Sequence, residues 1–566
     1  MKIKFFLEIK EEDKISNYQL LDLILKNRKI ENVEEFLKPK NPLNISLSDF
    51  NSSFKNELQK SLEILKTVKE KNQMVVVYTD YDADGITGGA ILWETLYYLG
   101  FKVMPYVPNR KTEGYGFSIF GIDNVIKKFN PALIISVDHG ITKIKEVDYA
   151  KKKGIKIIIT DHHLKGETLP KADAIFHIPA LSGAGVSYFF SKEIFKNFEK
   201  TVKNKHDFLV LKNNFLHDFL ALASIGTVAD LVPLIGPSRS IVKYGLENFS
   251  KTRRLGIKHI LKEAGIEGKK ISPFEISFII APRINAVGRL KDAIDALRLL
   301  CTKKEERAKN LASYVGQKNK QRQNLVEKAV LEAKKILAFE TKNFSFLPRI
   351  IILHSEEWEE GIIGLVAAKM VEEFYRPTIV LTKSDGFYKG SARSIPVFHI
   401  TNFLRNLKKF LLDVGGHSQA AGFTIEEKKL HQFKKEVEKL SKKVIKETDL
   451  EKEIVVDLKI PISKINLKWV KILEQLQPFG IGNPQPLFYS EGRIFDIKFL
   501  GKENKHLKIY LSNENEKSIL EVIAFNQADN FKNLFRNQKI KVVYSLEIDR
   551  WGSKEKVVGK LIHLFG

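Results

Sequence analysis

Residues 74–85 read MVVVYTDYDADG. The apolar run that opens at Met74 predicts a strand. Asp80, Asp82 and Asp84 follow it directly and put three carboxylates in the turn that leads into a helix. Outward from this stretch the pattern repeats. FKVMPYVP (101–108), ALIISVD (132–138) and IKIIITD (155–161) are further short apolar runs, and ILWETLYYLG, IDNVIKKF and KIKEVDYAKKKG read as the helices between them. Strands that alternate with helices cross over into a parallel sheet, so the fold class is α/β.

In open sheets of this kind, ligands bind beyond the carboxyl ends of the strands. Asp138-His139-Gly140 stands at that end of the third run and Asp161-His162-His163 at that end of the fourth. The three clusters are therefore expected to meet on one rim. An Asp after a strand is often only a helix cap, but three clusters at corresponding strand ends are not explained by capping. Carboxylates crowded together repel and raise one another's pKa unless a cation neutralises them, which points to a metal. Mixed carboxylate and imidazole ligands suit Mn2+ or Zn2+, and carboxylate-rich sites also accept Mg2+; Mn2+ or Mg2+ is favoured. Six or more ligand groups exceed the needs of one hydrolytic ion, so two ions are expected.

With 566 residues, 43% hydrophobic and 28% charged, the chain has ordinary globular composition and is long enough for three or four domains. The boundaries expected are an N-terminal extension (1–71), a catalytic α/β domain (72–301), a connecting helix (302–344), a smaller α/β domain (345–450) and a β-rich domain (451–566). The connecting helix follows from the spacing of Ala308, Leu311, Val315, Leu325, Ala329, Ala333 and Ile336, the alternative being two helices with a break at Gly316. RIIILHS, GLVAAKMVEEF and PTIVLTK form the second α/β unit, and from about 454 strands with turn signals suggest a small β-barrel. Lys and Arg number 93 against 68 Asp and Glu, a formal charge of +25, which favours a polyanionic partner such as nucleic acid. The single cysteine, Cys301, excludes an intramolecular disulfide and fits a cytoplasmic setting. No signal-peptide core or apolar stretch long enough to cross a membrane is present, so no membrane association is expected. No Walker A string occurs, which argues against a nucleotide-driven motor.

DYDADG, VDHG, TDHH and GTVAD (226–230) stand in the order of the four motifs of the DHH phosphoesterase superfamily, which the chain resembles. PNRKTEGYG (108–116), GAGV (183–186), APRINAVGRL (281–290), WEEGIIGLVAAKM (358–370), GSARS (390–394), GGHSQAAG (415–422) and QPFGIGNPQP (477–486) extend the match and are similar to the RecJ exonucleases. That resemblance implies a DHH domain joined by a long helix to a smaller α/β domain, with an OB-like barrel at the C-terminus. It implies a metal-dependent exonuclease acting 5′→3′ on single-stranded DNA, releasing 5′-mononucleotides in recombination and repair. A single-strand-binding protein and a RecQ-type helicase would be its partners, and the chain would act as a monomer in the cytoplasm.

By the same resemblance Asp82, Asp84, Asp138, His162 and Asp230 would be metal ligands, with Asp138 bridging two ions. Asp80, Asp161 and His163 would support the ligands or the substrate phosphate. Arg110, Tyr115, Arg283, Asn285 and Arg289 would contact the scissile region, although a buried structural Arg is the competing reading. Ser391, Arg393, Gly415, Gly416 and His417 would hold a terminal 5′ phosphate; on the barrel, Phe525, Trp551 and Lys508 are candidates to meet DNA, with core packing the favoured role for either aromatic, so the barrel is expected and not its contacts. Three positions depart from the family pattern: Tyr78-Thr79 where a His or Gly is common, His139 where Asn or Cys is usual, and Ile178-Pro179 in place of Asn-Pro. His139 would be a spare ligand or an inert neighbour. Two rivals remain: a DHH oligoribonuclease or nucleotide phosphatase, whose relatives lack the barrel, and a non-catalytic DNA-binding scaffold, whose relatives lose the carboxylates.

Overall fold

The run that opens at Met74 forms strand β1 (Val75–Thr79), all five residues buried, as an unbroken apolar strand requires when both sheet faces are covered. Helix α1 (Ala83–Tyr98) follows it, then β2 (Val103–Tyr106), β3 (Leu133–Val137), β4 (Lys156–Asp161) and β5 (Ala174–His177). Every neighbouring pair is parallel, in the order β2-β1-β3-β4-β5. The α/β class and the parallel sheet are as read from the sequence; the four-residue β5 had no run long enough to announce it. Because the chain passes from β1 outward to β2 and then back across to β3, the sheet reverses its order between β1 and β3. A crevice opens at the carboxyl ends of strands at such a point. The acidic clusters stand there.

This is a computed structural model, and it describes residues 2–565 apart from 15, 115, 203, 291–292, 344, 385, 514–516 and 551–553. The chain divides into two compact units, one made chiefly of Ser313–Ile454 and the other of Ile3–Gly288, Asp292–Ala312 and Val455–Gly566. The larger unit holds the parallel sheet, helices α2 (Gly183–Phe198), α3 (Phe219–Ala229) and α4 (Gly236–Asn248), and the C-terminal barrel. Arg239 of α4 is fully buried and ties this unit together. Its guanidinium donates to the carbonyls of Phe36 (2.7 Å), Gln477 (2.8 Å), Pro478 (3.2 Å) and Gln475 (3.4 Å), so one side chain joins the N-terminal extension, α4 and the start of QPFGIGNPQP.

Helix α5 (Glu305–Glu340) runs unbroken through Gly316. Within the smaller unit its Ala329, Ala333 and Leu337 pack against Leu353, Trp358, Met370 and Val380. The sheet there comprises β6 (Ile351–His354), β7 (Thr378–Ser384), β8 (Phe387–Arg393), β9 (Leu411–Gly416) and β10 (Ala420–Glu426), in the order β9-β10-β8-β7-β6. Helix α6 (Ile363–Phe374) lies between β6 and β7 in sequence. The barrel comprises β11 (Leu458–Lys459), β12 (Leu487–Leu500), β13 (His506–Ser512), β14 (Ile519–Ala524), β15 (Lys539–Asp549) and β16 (Lys556–Phe565). It closes because β12 pairs with both β13 and β15, which removes the sheet's free edge. Among the described residues no helix is long and apolar enough to cross a membrane.

Candidate active site

Asp82 caps α1, its Oδ1 accepting from the N–H groups of Asp84 and Gly85 at 3.0 Å each. Capping and proximity to the rim therefore coexist at this residue. Asp84, two residues further on, accepts from Gly183 N–H at 2.6 Å and Ala184 N–H at 2.9 Å. These are the first residues of α2, whose N-terminal partial positive charge favours the anion. Asp230 ends α3 at its C-cap. Asp138 leaves β3 in the left-handed region, with φ 68°, a strained conformation for a residue with a Cβ.

Three sets of side chains each bring one ligand atom per residue within 4.8 Å of one another: Asp80, Asp82 and Asp138; Asp84, His162 and Asp230; Asp138, His162 and His163. Asp138 and His162 each belong to two sets. His162 Nε2 lies 3.1 Å from Asp138 Oδ1, 3.4 Å from Asp230 Oδ2 and 3.8 Å from Asp84 Oδ2. Both Nε2 and Asp138 Oδ1 are buried and have no well-formed hydrogen bond among the described residues. Buried polar atoms are almost always satisfied, so two orphaned ligand atoms facing each other among carboxylates fit a divalent cation.

Burial and the charges of its neighbours push the carboxyl of Asp138 well above its ordinary value. Asp82 moves in the same direction, and Asp230 is pushed up to about 8, in both cases by burial first and then by Asp84. Asp161 behaves oppositely. Burial alone would raise it, but His163 and the N–H groups of Ile141 and His163 outweigh burial and hold it below the carboxylate range. His163 Nδ1 lies 2.8 Å from Asp161 Oδ1; burial opposes its charge, yet Asp161 raises it to about 9. The rim thus sets carboxylates that need a cation beside an imidazolium that already has its anion.

Glycines make this crowding possible, and sequence reading missed them. A Cβ on Gly183 would fall 2.4 Å from Asp138 Cβ, one on Gly226 2.3 Å from Asp84 Oδ1, and one on Gly85 2.7 Å from Asp80 Cβ. GAGV and GTVAD are therefore needed as much for what their glycines omit as for Asp230.

Family models for the DHH family N-terminal domain, the DHHA1 domain and the RecJ OB domain match residues 74–220, 347–443 and 456–563. The single-stranded-DNA-specific exonuclease RecJ of Haemophilus influenzae is 30% identical over 564 residues, which cover 96% of this chain and 96% of that protein. The chain belongs to the RecJ family. The RecJ of Bacillus subtilis is 32% identical over 522 residues, 90% of this chain and 63% of that longer protein. A crystal structure of RecJ in complex with Mn2+ from Thermus thermophilus superposes with TM-score 0.79 at 25% identity, covering 100% of this chain and 80% of that one.

Against the RecJ pattern, two departures acquire a physical reading. Tyr78 is buried, packs its ring 5.2 Å from that of His139 and donates its hydroxyl to Gly116 O at 3.3 Å. The His139 ring is stacked on Phe117 at 5.7 Å, belongs to none of the three sets, and is held by burial down near 3. Both of its ring nitrogens, like His162 Nε2, are buried without a well-formed hydrogen bond among the described residues.

Asn285 points back at the site: its Oδ1 accepts from Ala83 N–H at 2.6 Å, fixing the start of α1. Arg283 donates to Glu263 at 2.7 Å and to Ile279 O at 2.9 Å, which is the structural-arginine alternative in geometry. Tyr115 and Trp551 lie outside the described residues, and of Arg110 and Arg289 only the backbone is described.

On the smaller unit, Gly415 of β9, Gly422 of β10 and Ser391 of β8 stand in one cross-strand row. Nothing lies within 4 Å of where Cβ atoms on the two glycines would be, so the backbone is open there. Arg393 Nη1 donates to Ser391 Oγ at 3.3 Å, and Gly364 of α6 lies against both side chains. Gly416, φ 140°, sits against Ala420 O, and His417 N–H donates to the same carbonyl at 2.7 Å.

Proposed function

We propose that this rim hydrolyses phosphodiester bonds of single-stranded DNA, from the 5′ end toward the 3′ end, releasing 5′-mononucleotides. The chain is a metal-dependent exonuclease of the RecJ type, with Mn2+ or Mg2+ as the cofactor. The observation that carries the reading is that Asp138 and His162 are shared between groups of ligand atoms, with two of their buried atoms lacking a well-formed hydrogen bond among the described residues. Asp82, Asp84, Asp138, His162 and Asp230, joined by Asp80 through its place beside Asp82 and Asp138, would hold two ions, which when bound supply a nucleophilic water near neutral pH and charge stabilisation in the transition state.

The chain's own groups do the rest. Asp84 is fixed by the α2 N-terminus and Asp82 by its capping bonds, so neither must reorganise when substrate arrives. His163, protonated and oriented through Nδ1 by Asp161, presents Nε2 as a cationic donor for a phosphate oxygen. Asn285 holds the α1 start in place, while Ser391, Arg393, Gly416 and His417, with the open backbone at Gly415, accept the terminal 5′ phosphate. Recombination and repair, assistance from a single-strand-binding protein and a RecQ-type helicase, and action as a cytoplasmic monomer complete the proposal.

The test is digestion of 5′-labelled single-stranded and duplex DNA with Mn2+, with Mg2+ and with chelator. Mononucleotide release from the single strand alone, lost with chelator and in Asp138→Ala, is expected; hydrolysis by Asp138→Ala at the wild-type rate would remove the metal assignment. Arg393→Ala should lose the preference for a 5′-phosphorylated over a 5′-hydroxyl end. Activity confined to di- to pentanucleotides would favour the oligoribonuclease rival.

A further inference from the structure

One row of side chains crosses four strands of the barrel. Lys498 on β12 pairs with Lys508 on β13, Lys508 with Ile523 on β14, and Ile523 with Lys560 on β16. Directly opposed residues share a face, so three ammonium groups stand in line. Lys508 bonds Glu521 at 2.8 Å, and both Lys498 and Lys508 lie over the Tyr510 ring at 5.3 and 5.9 Å. Glu521 is also 4.0 Å from Lys556, so this carboxylate is already shared between two lysines. Lys560 differs from Lys508. Among the described residues it has no carboxylate partner, and its Nζ lies between two rings, 6.0 Å from Phe274 and 5.9 Å from Phe525.

Those rings are exposed: Phe525 by 47% and Phe274 by 55%. Phe274 in turn lies 4.8 Å from the ring of Phe278, which is 65% exposed. Phe525 also meets His506 edge-on at 5.6 Å. Phe274 and Phe278 are not barrel residues; they stand on the helical turns Pro273–Glu275 and Ile276–Ile280 of the catalytic domain. Exposed aromatic faces on either side of a cation with no carboxylate partner among the described residues suit a strand whose bases stack and whose phosphates need countercharge. A protein partner's apolar surface would gain little from an ammonium group in the middle of the patch.

We infer that a DNA single strand crosses this face and leaves the barrel for the catalytic domain, stacking bases on Phe525, Phe274 and Phe278 with Lys560 between them for a phosphate. This rests on the reading that the barrel faces single-stranded DNA, and it adds a platform outside the barrel.

The probe is a 30-nucleotide oligo(dT) carrying a fluorophore, followed by anisotropy in chelator with the full chain. Phe274→Ala/Phe278→Ala should bind about tenfold more weakly or worse, while Phe274→Tyr/Phe278→Tyr stays within about twofold because the π faces remain. Lys560→Gln should take about 0.7 from the slope of log affinity against log salt. Phe339→Ala, which removes an exposed ring on α5, should change nothing. If Phe525→Ala/Lys508→Gln weakens binding and the alanine pair does not, the platform is overturned and the barrel reading stands; if neither weakens it, the barrel reading falls too. Should the alanine pair melt early, an unchanged salt slope in Lys560→Gln overturns the proposal.

Discussion

Asp230 and His163 share one rim, and both bind protons more tightly in the folded protein than their ordinary values allow: Asp230 is pushed up to about 8 and His163 to about 9. A group whose folded pKa is raised stabilises the fold fully below its unfolded pKa, and that contribution is lost as pH rises through the folded value. His139, held near 3, and His162, also lowered by burial, act the other way, but only below about 6.5, where the unfolded imidazoles titrate. From about pH 6.5 to 9 the metal-free protein should therefore lose stability steadily. Mn2+ replaces the protons, so its stabilising effect should grow over the same range. Melting curves of the chelated and Mn2+-loaded protein at about pH 6.5, 7.5 and 8.5 check this; a metal effect independent of pH would mean that these carboxylates are not the ligands.

At the scale of elements, the close approach of α2 to the end of β3, and of α3 to the start of α1, is set by hydrogen atoms where other residues have side chains. Gly183→Ala would push a methyl into Asp138 and Gly226→Ala one into Asp84. Overpacking of this kind costs about 1–3 kcal/mol, but the larger effect should be on the ion. We expect Mn2+ affinity to fall about 10- to 100-fold in either variant, as when a ligand's supporting contacts are altered. Gly154, φ 81° with nothing within 4 Å of a Cβ, is the control: Gly154→Ala should lose about 1–2 kcal/mol to the left-handed backbone and bind Mn2+ as the wild type does. Calorimetric titration separates the two outcomes. Equal affinity in all three would show that the glycines serve only the helix packing.

Over the whole molecule, Arg239 is a buried cation that spans the larger unit, with four carbonyl acceptors drawn from two distant parts of the chain. Arg239→Met keeps the bulk and removes every donor. Leaving the carbonyls unsatisfied should cost about 3 kcal/mol or more, read as a lower urea midpoint for the larger unit. The expected signature is early exposure of the barrel, seen by limited proteolysis near 475–486, while the metal rim remains intact and active on short substrates. A variant as stable as the wild type would mean that the QPFGIGNPQP segment is held by its other contacts, such as Leu234 N–H to Ile481 O at 2.7 Å.

Much of the fold and of the acidic rim was legible without coordinates because the signals are local. A strand buried on both faces must be an apolar run, and a helix that starts at a strand end takes its cap from the next residues, so Val75–Thr79 and Asp82 announce themselves within a short stretch of chain. The order of motifs then carried the family. What only tertiary structure decided are the partnerships across long stretches of chain: Asp84 held by Gly183, Asn285 turned onto Ala83, Arg283 committed to Glu263, and Lys560 placed between Phe274 and Phe525. A single sequence records which groups are available, but a hydrogen bond or a ring contact depends on a few tenths of an ångström between segments that local propensity does not bring together.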